Sequence, residues 1–411
     1  MAVHDGGSSV SVTAAWKQPA PSPCCSRAAG SHLRTAGDIR NFPLLKRFAS
    51  AIVEAVAAEP AAALPEGMQA MATMKSWYYM GKESVELREV PVPEISDNDV
   101  LIQNIYSSIC GSDVSAYKNG ADAGYAYQTD AEFGHETVSR VVAKGANVTE
   151  FELGQRVYPY PVYATGDPAK SGAIGGFSEY IRVPDAKLNH SLYLVPDTIS
   201  DRVASMIEPF TVGCQAARRA NPRPGQKAVV FGCGTIGVAA AVALQWFGVE
   251  QVMICDLSEF RLGIAEKLGF TVCNTGKEDF KERAQAFFGP AYTMTGLTAD
   301  IDIWIDAAGP AQIISQYLEM SKFGGTFVRV AVNKKPVTVD MLQLVFSEQS
   351  IIGSGGYTPQ DVEDVLGIMA SGRWDLESVI TQDYPFDQFD QAIKKACDAE
   401  GSLKVAIDML A

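Results

Sequence analysis

Positive charge is in short supply. The chain carries 34 lysines and arginines against 48 aspartates and glutamates, a formal net charge of −14. Such a balance is repelled by phosphate backbones and anionic lipid surfaces, so neither nucleic acid nor a membrane surface is an expected partner. Cysteine is sparse as well: eight residues scattered over 411, with no dense framework in any small stretch. This excludes a disulfide scaffold and fits a reducing cytoplasm, where thiols serve as core residues or metal ligands. A secretory signal is not expected, because Asp5 comes early and no apolar core succeeds it. No internal repeat is present. One stretch, Ala228 to Val249, lacks charge over about the length of a membrane span. A glycine cluster near its start and the absence of a second such segment assign it instead to the buried core of an α/β fold. What the chain does have is apolar residues, 47% of the total, enough for a large core, and a length that implies more than one domain.

Residues 228–256 organise the rest. The apolar run Ala228–Phe231 reads as a buried parallel strand. It ends at Gly232-Cys233-Gly234-Thr235-Ile236-Gly237, a G-x-G-x-x-G sequence, followed by an alanine-rich helix, a second apolar run from Gln251 to Cys255, and Asp256. Gly232 allows the tight turn, Gly234 lets the backbone approach a pyrophosphate, and Gly237 lets helix pack on strand. Thr235 and Ile236 open the helix whose free N–H groups face the phosphates. Asp256, about 20 residues beyond the glycines, is placed to accept hydrogen bonds from a ribose. The agreement of strand, turn, helix and acid points to a dinucleotide site.

Residues 1–73 differ from the rest of the chain. They are rich in Ala, Ser and Pro and read as a disordered extension or a start placed too far upstream, with Met71 and Met74 beside the folded region. Arginines recurring among few acids, at 27, 34, 40 and 47, leave a transit peptide as the other reading. From Lys75 to about Val195, short alternating runs and glycine turns indicate a β section. From about Ser200, helices and strands alternate, with further buried strands at Ile301–Asp306 and Gly325–Val332. Helices are expected at Pro359–Ser371 and Phe386–Ala399, and a last strand at Lys404–Met409.

A second chemical signal lies in three separate pieces: Cys110-Gly111-Ser112-Asp113, Gly134-His135-Glu136 and Ile207-Glu208-Pro209. Thiolate, imidazole and carboxylate are the ligand types of a catalytic zinc that keeps one position open. Read from the residues alone, a buried small Cys110, a structural His-Glu pair, and a Ser112 that merely caps a helix remain equally open.

These pieces, with the glycine fingerprint, resemble the zinc-containing medium-chain dehydrogenase/reductase family. C-G-S-D-V, F-G-H-E, G-x-R-V, G-G-F-x-E-Y, I-E-P and G-C-G-x-I-G occur in the family's order from about Met74 to Leu410, and Glu208 before Pro209 is similar to the sorbitol, butanediol and threonine dehydrogenase branch. The resemblance implies an α/β fold. A GroES-like β domain would span residues 74–205 and be completed by 351–411. A Rossmann doubly wound parallel sheet at 206–350 would be inserted between. It implies that Cys110, His135 and either Glu136 or Glu208 hold one catalytic zinc, and that Ser112 passes on the substrate proton. It further implies that Gly232, Gly234, Thr235, Ile236 and Gly237 hold the pyrophosphate of NAD, that Asp256 binds the adenosine ribose, and that Arg261 lies over the adenine side. Three departures stand out. Ser115 occupies the place of a relay histidine, Gly356 that of a substrate-binding arginine, and no cysteine lies between Cys110 and Cys214 to close a structural zinc site. The reading is an NAD-dependent oxidation of a small diol, polyol or hydroxy compound to its ketone, by a homodimer or homotetramer. A zinc-free quinone or enone reductase and a non-catalytic nucleotide-binding protein are the alternatives.

Overall fold

The computed structural model describes residues 73–122, 127–333 and 335–411. The extension expected at 1–73 lies outside the described residues except for Thr73. The β section supplies β1 (Thr73–Gly81), β2 (Ser84–Pro91), β3 (Val100–Ser108), β4 (Ala131–Glu132), β5 (Glu136–Lys144), β6 (Arg156–Pro159), β7 (Tyr180–Val183) and β8 (Leu192–Leu194). The α/β section adds β9 (Lys227–Phe231), β10 (Gln251–Asp256), β11 (Thr271–Asn274), the hairpin β12 (Pro290–Thr293) and β13 (Gly296–Ala299), then β14 (Ile303–Asp306), β15 (Thr326–Arg329) and β16 (Ser350–Gly353). The chain ends through β17 (Ile380–Pro385) and β18 (Lys404–Asp408).

Two large sheets result. One runs β17-β18-β3-β5-β6-β8, with β7 also paired to β3. The C-terminal strands thus join the sheet built by the first third of the described chain, and β18 pairs antiparallel with the end of β3. That pairing carries Lys404 and its neighbours to the place where β3 runs into Cys110. The other sheet is parallel, in the order β11-β10-β9-β14-β15-β16. It is doubly wound, and the strand order reverses between β9 and β14. Its strands alternate between two cores. Ala228, Val230, Ile303 and Ile305 enter one hydrophobic cluster, while Val229, Phe231 and Trp304 enter the cluster on the opposite face. Burial on both faces explains why these strands read as continuous apolar runs.

Four helices set the site: α1 (Gly111–Asn119), α2 (Ile207–Arg219), α3 (Thr235–Trp246) and α4 (Glu259–Lys267). The uncharged stretch 228–249 is β9 followed by the buried α3, and among the described residues no helix is long and apolar enough to cross a membrane. Helix α2 sits tightly on α3, because a Cβ on Gly213 would lie 2.5 Å from the Ala239 Cβ. The helix expected at Phe386–Ala399 is shorter. A 3-10 turn at Phe386–Gln388 precedes the α-helix Phe389–Ala396, since Phe386 and Phe389 are both drawn into the core.

Glycine geometry sets the cost of substitution in the fingerprint. A Cβ on Gly237 would stand 1.8 Å from the Gly232 carbonyl oxygen, whereas a Cβ on Gly234 would meet nothing within 4 Å. Gly237→Ala should therefore cost about 1–3 kcal/mol or more through overpacking. Gly234→Ala should leave unfolding in urea nearly unchanged and instead weaken dinucleotide binding. Equal destabilisation by both would contradict this division.

Candidate metal and dinucleotide site

Strand pairing explains why distant residues meet. Ser108, near the end of β3, is paired with Glu136, the first residue of β5. The residues just beyond these strand ends, Cys110 and His135, are thereby brought side by side. Gly134 makes the bend before them at φ 87°, and any side chain there would strike the Phe177 ring at 2.6 Å. Sγ of Cys110, a ring nitrogen of His135 and a carboxylate oxygen of Glu136 all lie within 4.8 Å of one another.

The thiol of Cys110 caps α1: its Sγ accepts from the Ser112 N–H at 3.5 Å, and the Asp113 carboxylate accepts from the Cys110 N–H at 2.9 Å. Ser112 is therefore the second residue of the helix and not its cap. A sulfur at a helix N-terminus is in the right field for a thiolate. Ser112 Oγ lies 3.0 Å from the hydroxyl of Tyr127, which donates to the buried Asp113 carboxylate at 2.6 Å. Tyr127 had no signal of its own in the sequence.

Two acceptors and one cation complete the centre. The Glu136 carboxylate, 1% exposed, receives the Lys404 ammonium at 2.5 Å and the Ser108 hydroxyl. Lys404, 3% exposed, also donates to the Ile109 carbonyl at 3.0 Å. Glu208, in the first turn of α2 and 8% exposed, lies outside the three-residue cluster. Burial pushes its carboxyl up to about 7, His135 pulls it back, the Glu136 charge pushes it further up, and the Tyr357 phenol bonds to it. Burial likewise pushes the Cys110 thiol up, with Glu136 acting in the same direction. For His135, burial favours the neutral ring, but the adjacent Cys110 and the carboxylates outweigh it and raise the imidazole well above its usual range. A thiol and an imidazole that hold their protons side by side are groups from which a divalent cation displaces protons. Buried His135 Nδ1 and Glu136 Oε1 have no hydrogen-bond partner. The donor set and these orphaned atoms fit a zinc ion.

Lys404 escaped the sequence reading. The available signal was a lone lysine opening an apolar strand, Lys404-Val405-Ala406-Ile407, in a chain that also buries Glu136 and Glu208. Tyr357 escaped too. It comes directly after Gly356, stacks on Tyr160 at 4.6 Å, and shares a 2.7 Å hydrogen bond with the Tyr158 hydroxyl. The lobe at 158–167 is thus packed by aromatic rings, including Tyr163 stacked on His190 at 4.1 Å.

The candidate dinucleotide residues are placed by backbone demands. Gly232 has φ 100°, which a side chain rarely adopts. Gly234 is the N-cap of α3 and offers no side-chain cap, so the N–H groups at Thr235 and Ile236 stay available for an anion. The open space beyond Gly234 is the approach such a ligand needs. Asp256 ends β10. One carboxylate oxygen accepts the Cys233 N–H at 2.6 Å and the other accepts Leu257 and Ser258 N–H at 2.7 and 2.9 Å. The acid is locked between the glycine turn and the start of α4. Arg261, on α4, donates from Nε to the Ser402 carbonyl at 3.1 Å. It ties this helix to the segment that precedes Lys404.

Residues 96–197 match the model for the alcohol dehydrogenase GroES-like domain, and residues 235–371 match that for zinc-binding dehydrogenases. The chain is 31% identical to L-galactonate-5-dehydrogenase from Escherichia coli over 73% of its length and 87% of the relative. It is 30% identical to L-threonine 3-dehydrogenase from Bacillus velezensis over 74% of its length and 90% of that protein. Its fold superposes on 2R,3R-butanediol dehydrogenase from Bacillus subtilis with a TM-score of 0.70 at 23% identity, covering 82% of this chain and 99% of the other. With matching domains on both sheets and relatives covered over most of their length, the chain belongs to the zinc-containing medium-chain dehydrogenase/reductase family, an alcohol oxidoreductase built from a GroES-like and a Rossmann-type domain.

Proposed function

We propose that this protein oxidises a small secondary alcohol, a diol, polyol or hydroxy compound, to its ketone with NAD, using one catalytic zinc per chain. The observation that carries the reading is the meeting of half-buried Cys110 with buried His135 and Glu136, and with two orphaned polar atoms. Cys110 and His135, with Glu136 or Glu208, would hold the zinc, which when bound supplies a Lewis acid to the substrate oxygen. Ser112 Oγ takes the hydroxyl proton, and with Ser115 in place of an imidazole its onward path is to water. Tyr127 fixes the Ser112 rotamer from one side. Lys404 neutralises Glu136, so the site gathers two carboxylates without leaving both uncompensated. The buried walls exclude water and orient the alcohol toward the dinucleotide cleft. Internal positions 3 and 5 in the names of the two relatives favour a secondary alcohol.

NADH formation over a panel of secondary alcohols, before and after chelation, tests the assignment. A zinc-free quinone or enone reductase would form no NADH from the alcohols but would oxidise NADH with a quinone or enone, in chelator or out of it, and a non-catalytic nucleotide-binding protein would do neither. Asp256 places negative charge where a 2′-phosphate would sit, so NAD should be preferred to NADP and Asp256→Ser should narrow the preference. Equal use of both by the wild type would refute that role. A homo-oligomer, dimer or tetramer, is supported by the short helix Met341–Phe346, where Leu342 and Val345 are 67% and 66% exposed. Sedimentation velocity reads the assembly directly.

A further inference from the structure

At the carboxyl ends of β14 and β15, Asp306 and Arg329 stand opposite each other in register. Asp306 is fully buried, and Nη1 of Arg329 lies 3.1 Å from its Oδ2. A buried ion pair at the end of a sheet is expensive to desolvate and adds little stability by itself, so its position calls for another explanation.

The pair clamps one turn. Asp306 Oδ1 accepts the N–H of Ala308 at 3.1 Å and of Gly309 at 2.7 Å. On the other side of the same residue, the Gly309 carbonyl receives Arg329 Nη2 at 2.5 Å and Asn333 Nδ2 at 2.9 Å. Gly309 has φ 97°, and a Cβ there would press on Ala331 at 3.3 Å. Side chains therefore hold the N–H and the carbonyl of Gly309 at once. The clamped turn borders the glycine fingerprint. Ala307 N–H bonds to the Phe231 carbonyl at 2.9 Å, and a Cβ on Gly232 would meet Ala307 and Ala308 at 3.0 Å.

Location gives the clamp its purpose. A doubly wound sheet binds its ligand outside the carboxyl ends of the strands, at the point where the strand order reverses. Here that point lies between β9 and β14. Asp256, at the end of β10, stands on one side of it; Asp306 and Arg329 stand on the other. A dinucleotide whose adenosine half is held near Asp256 must lay its second half on the β14–β15 side.

We propose that Asp306 and Arg329, assisted by Asn333, are positioning residues for the nicotinamide half of the cofactor, setting the 307–309 turn against which that half lies. The proposal rests on the dinucleotide reading above and adds to it residues that none of the motifs contains. It requires no contact between Arg329 and the cofactor.

The test compares two ligands that divide the site. NADH spans both halves, whereas 5′-AMP occupies only the Asp256 side. Arg329→Met should weaken NADH binding by about tenfold, the scale of losing a charge-assisted hydrogen bond, while 5′-AMP affinity stays within about twofold of wild type. The KM for NAD should rise more than the KM for the alcohol, and Arg329→Lys should recover part of the loss. Asn333→Ala leaves the Asp306–Arg329 pair intact and removes, on an exposed turn, the donor to Gly309 and the acceptor of the Lys335 N–H, so it folds even if Arg329→Met does not. It should weaken NADH by about threefold, again sparing 5′-AMP. Equal weakening of both ligands, or unchanged NADH affinity in Asn333→Ala and any soluble Arg329 variant, overturns the proposal. A wild-type protein that binds neither ligand overturns the dinucleotide reading itself, before any variant is made.

Discussion

Cys110→Ala protein is expected to lose alcohol oxidation by about three orders of magnitude or more, because a Lewis acid contributes several kcal/mol at the transition state and each 1.36 kcal/mol is tenfold in rate. It should bind NADH as wild type does. The two halves of this expectation come from different parts of the molecule. Cys110 sits at the junction of β3 and α1, whereas the dinucleotide residues sit at the carboxyl ends of the parallel sheet. The thiol is also the cap of α1, so some loss of stability accompanies the substitution, of about 1 kcal/mol as for other caps. His135→Ala removes no cap and should show the same kinetic loss without that cost. Steady-state rates and NADH fluorescence titrations on both variants separate chemistry from binding. Normal turnover in Cys110→Ala would sink the metal mechanism.

Lys404→Met should destabilise the metal-free protein by about 3–5 kcal/mol, since it leaves a buried carboxylate without its counter-charge. Glu136 is 1% exposed and Lys404 3%, so water cannot replace the lost partner without opening the core. The double variant Lys404→Met/Glu136→Gln removes both charges and should recover most of that stability. Urea unfolding of the two single variants and the double one closes a cycle whose interaction energy reports the pair itself. If the double variant is as unstable as Lys404→Met, the lysine acts through its packed aliphatic stem and not through its charge.

Cys110 stood out in the sequence and Lys404 did not, and the difference has physical causes. The dinucleotide turn was legible because its geometry is written in residue type. Gly232 is forced by φ 100° and Gly237 by a 1.8 Å approach, and both constraints act within a few residues of each other. The parallel strands were legible because burial on both faces leaves continuous apolar runs. Strand ends were less so: β15 closes at Arg329, inside the expected run to Val332.

The candidate metal site was legible only by resemblance. The β3–β5 pairing, which no local pattern encodes, joins the Cys110 and His135-Glu136 pieces, while Glu208 comes from α2. Lys404 reaches Glu136 across 268 positions of sequence, and only the return of β18 to the edge of β3 brings them together. The alternative in which Ser112 caps the helix does not hold. Serine is the stronger cap by residue preference, yet the chain uses the sulfur of Cys110 and leaves the Ser112 hydroxyl facing Tyr127. Asp306 and Arg329 lay in apolar runs where a single charge carried no visible partner. Their pairing is a property of strand register alone.

Metal content measured together with NADH formation tests the central claim most directly. Purified, desalted protein should hold about one zinc per chain, because a closed structural site requires four ligands and the 157–175 stretch contains no cysteine or histidine. Chelation should abolish NADH formation from secondary alcohols, and added zinc should restore it. Undiminished NADH formation by metal-free protein would contradict the account.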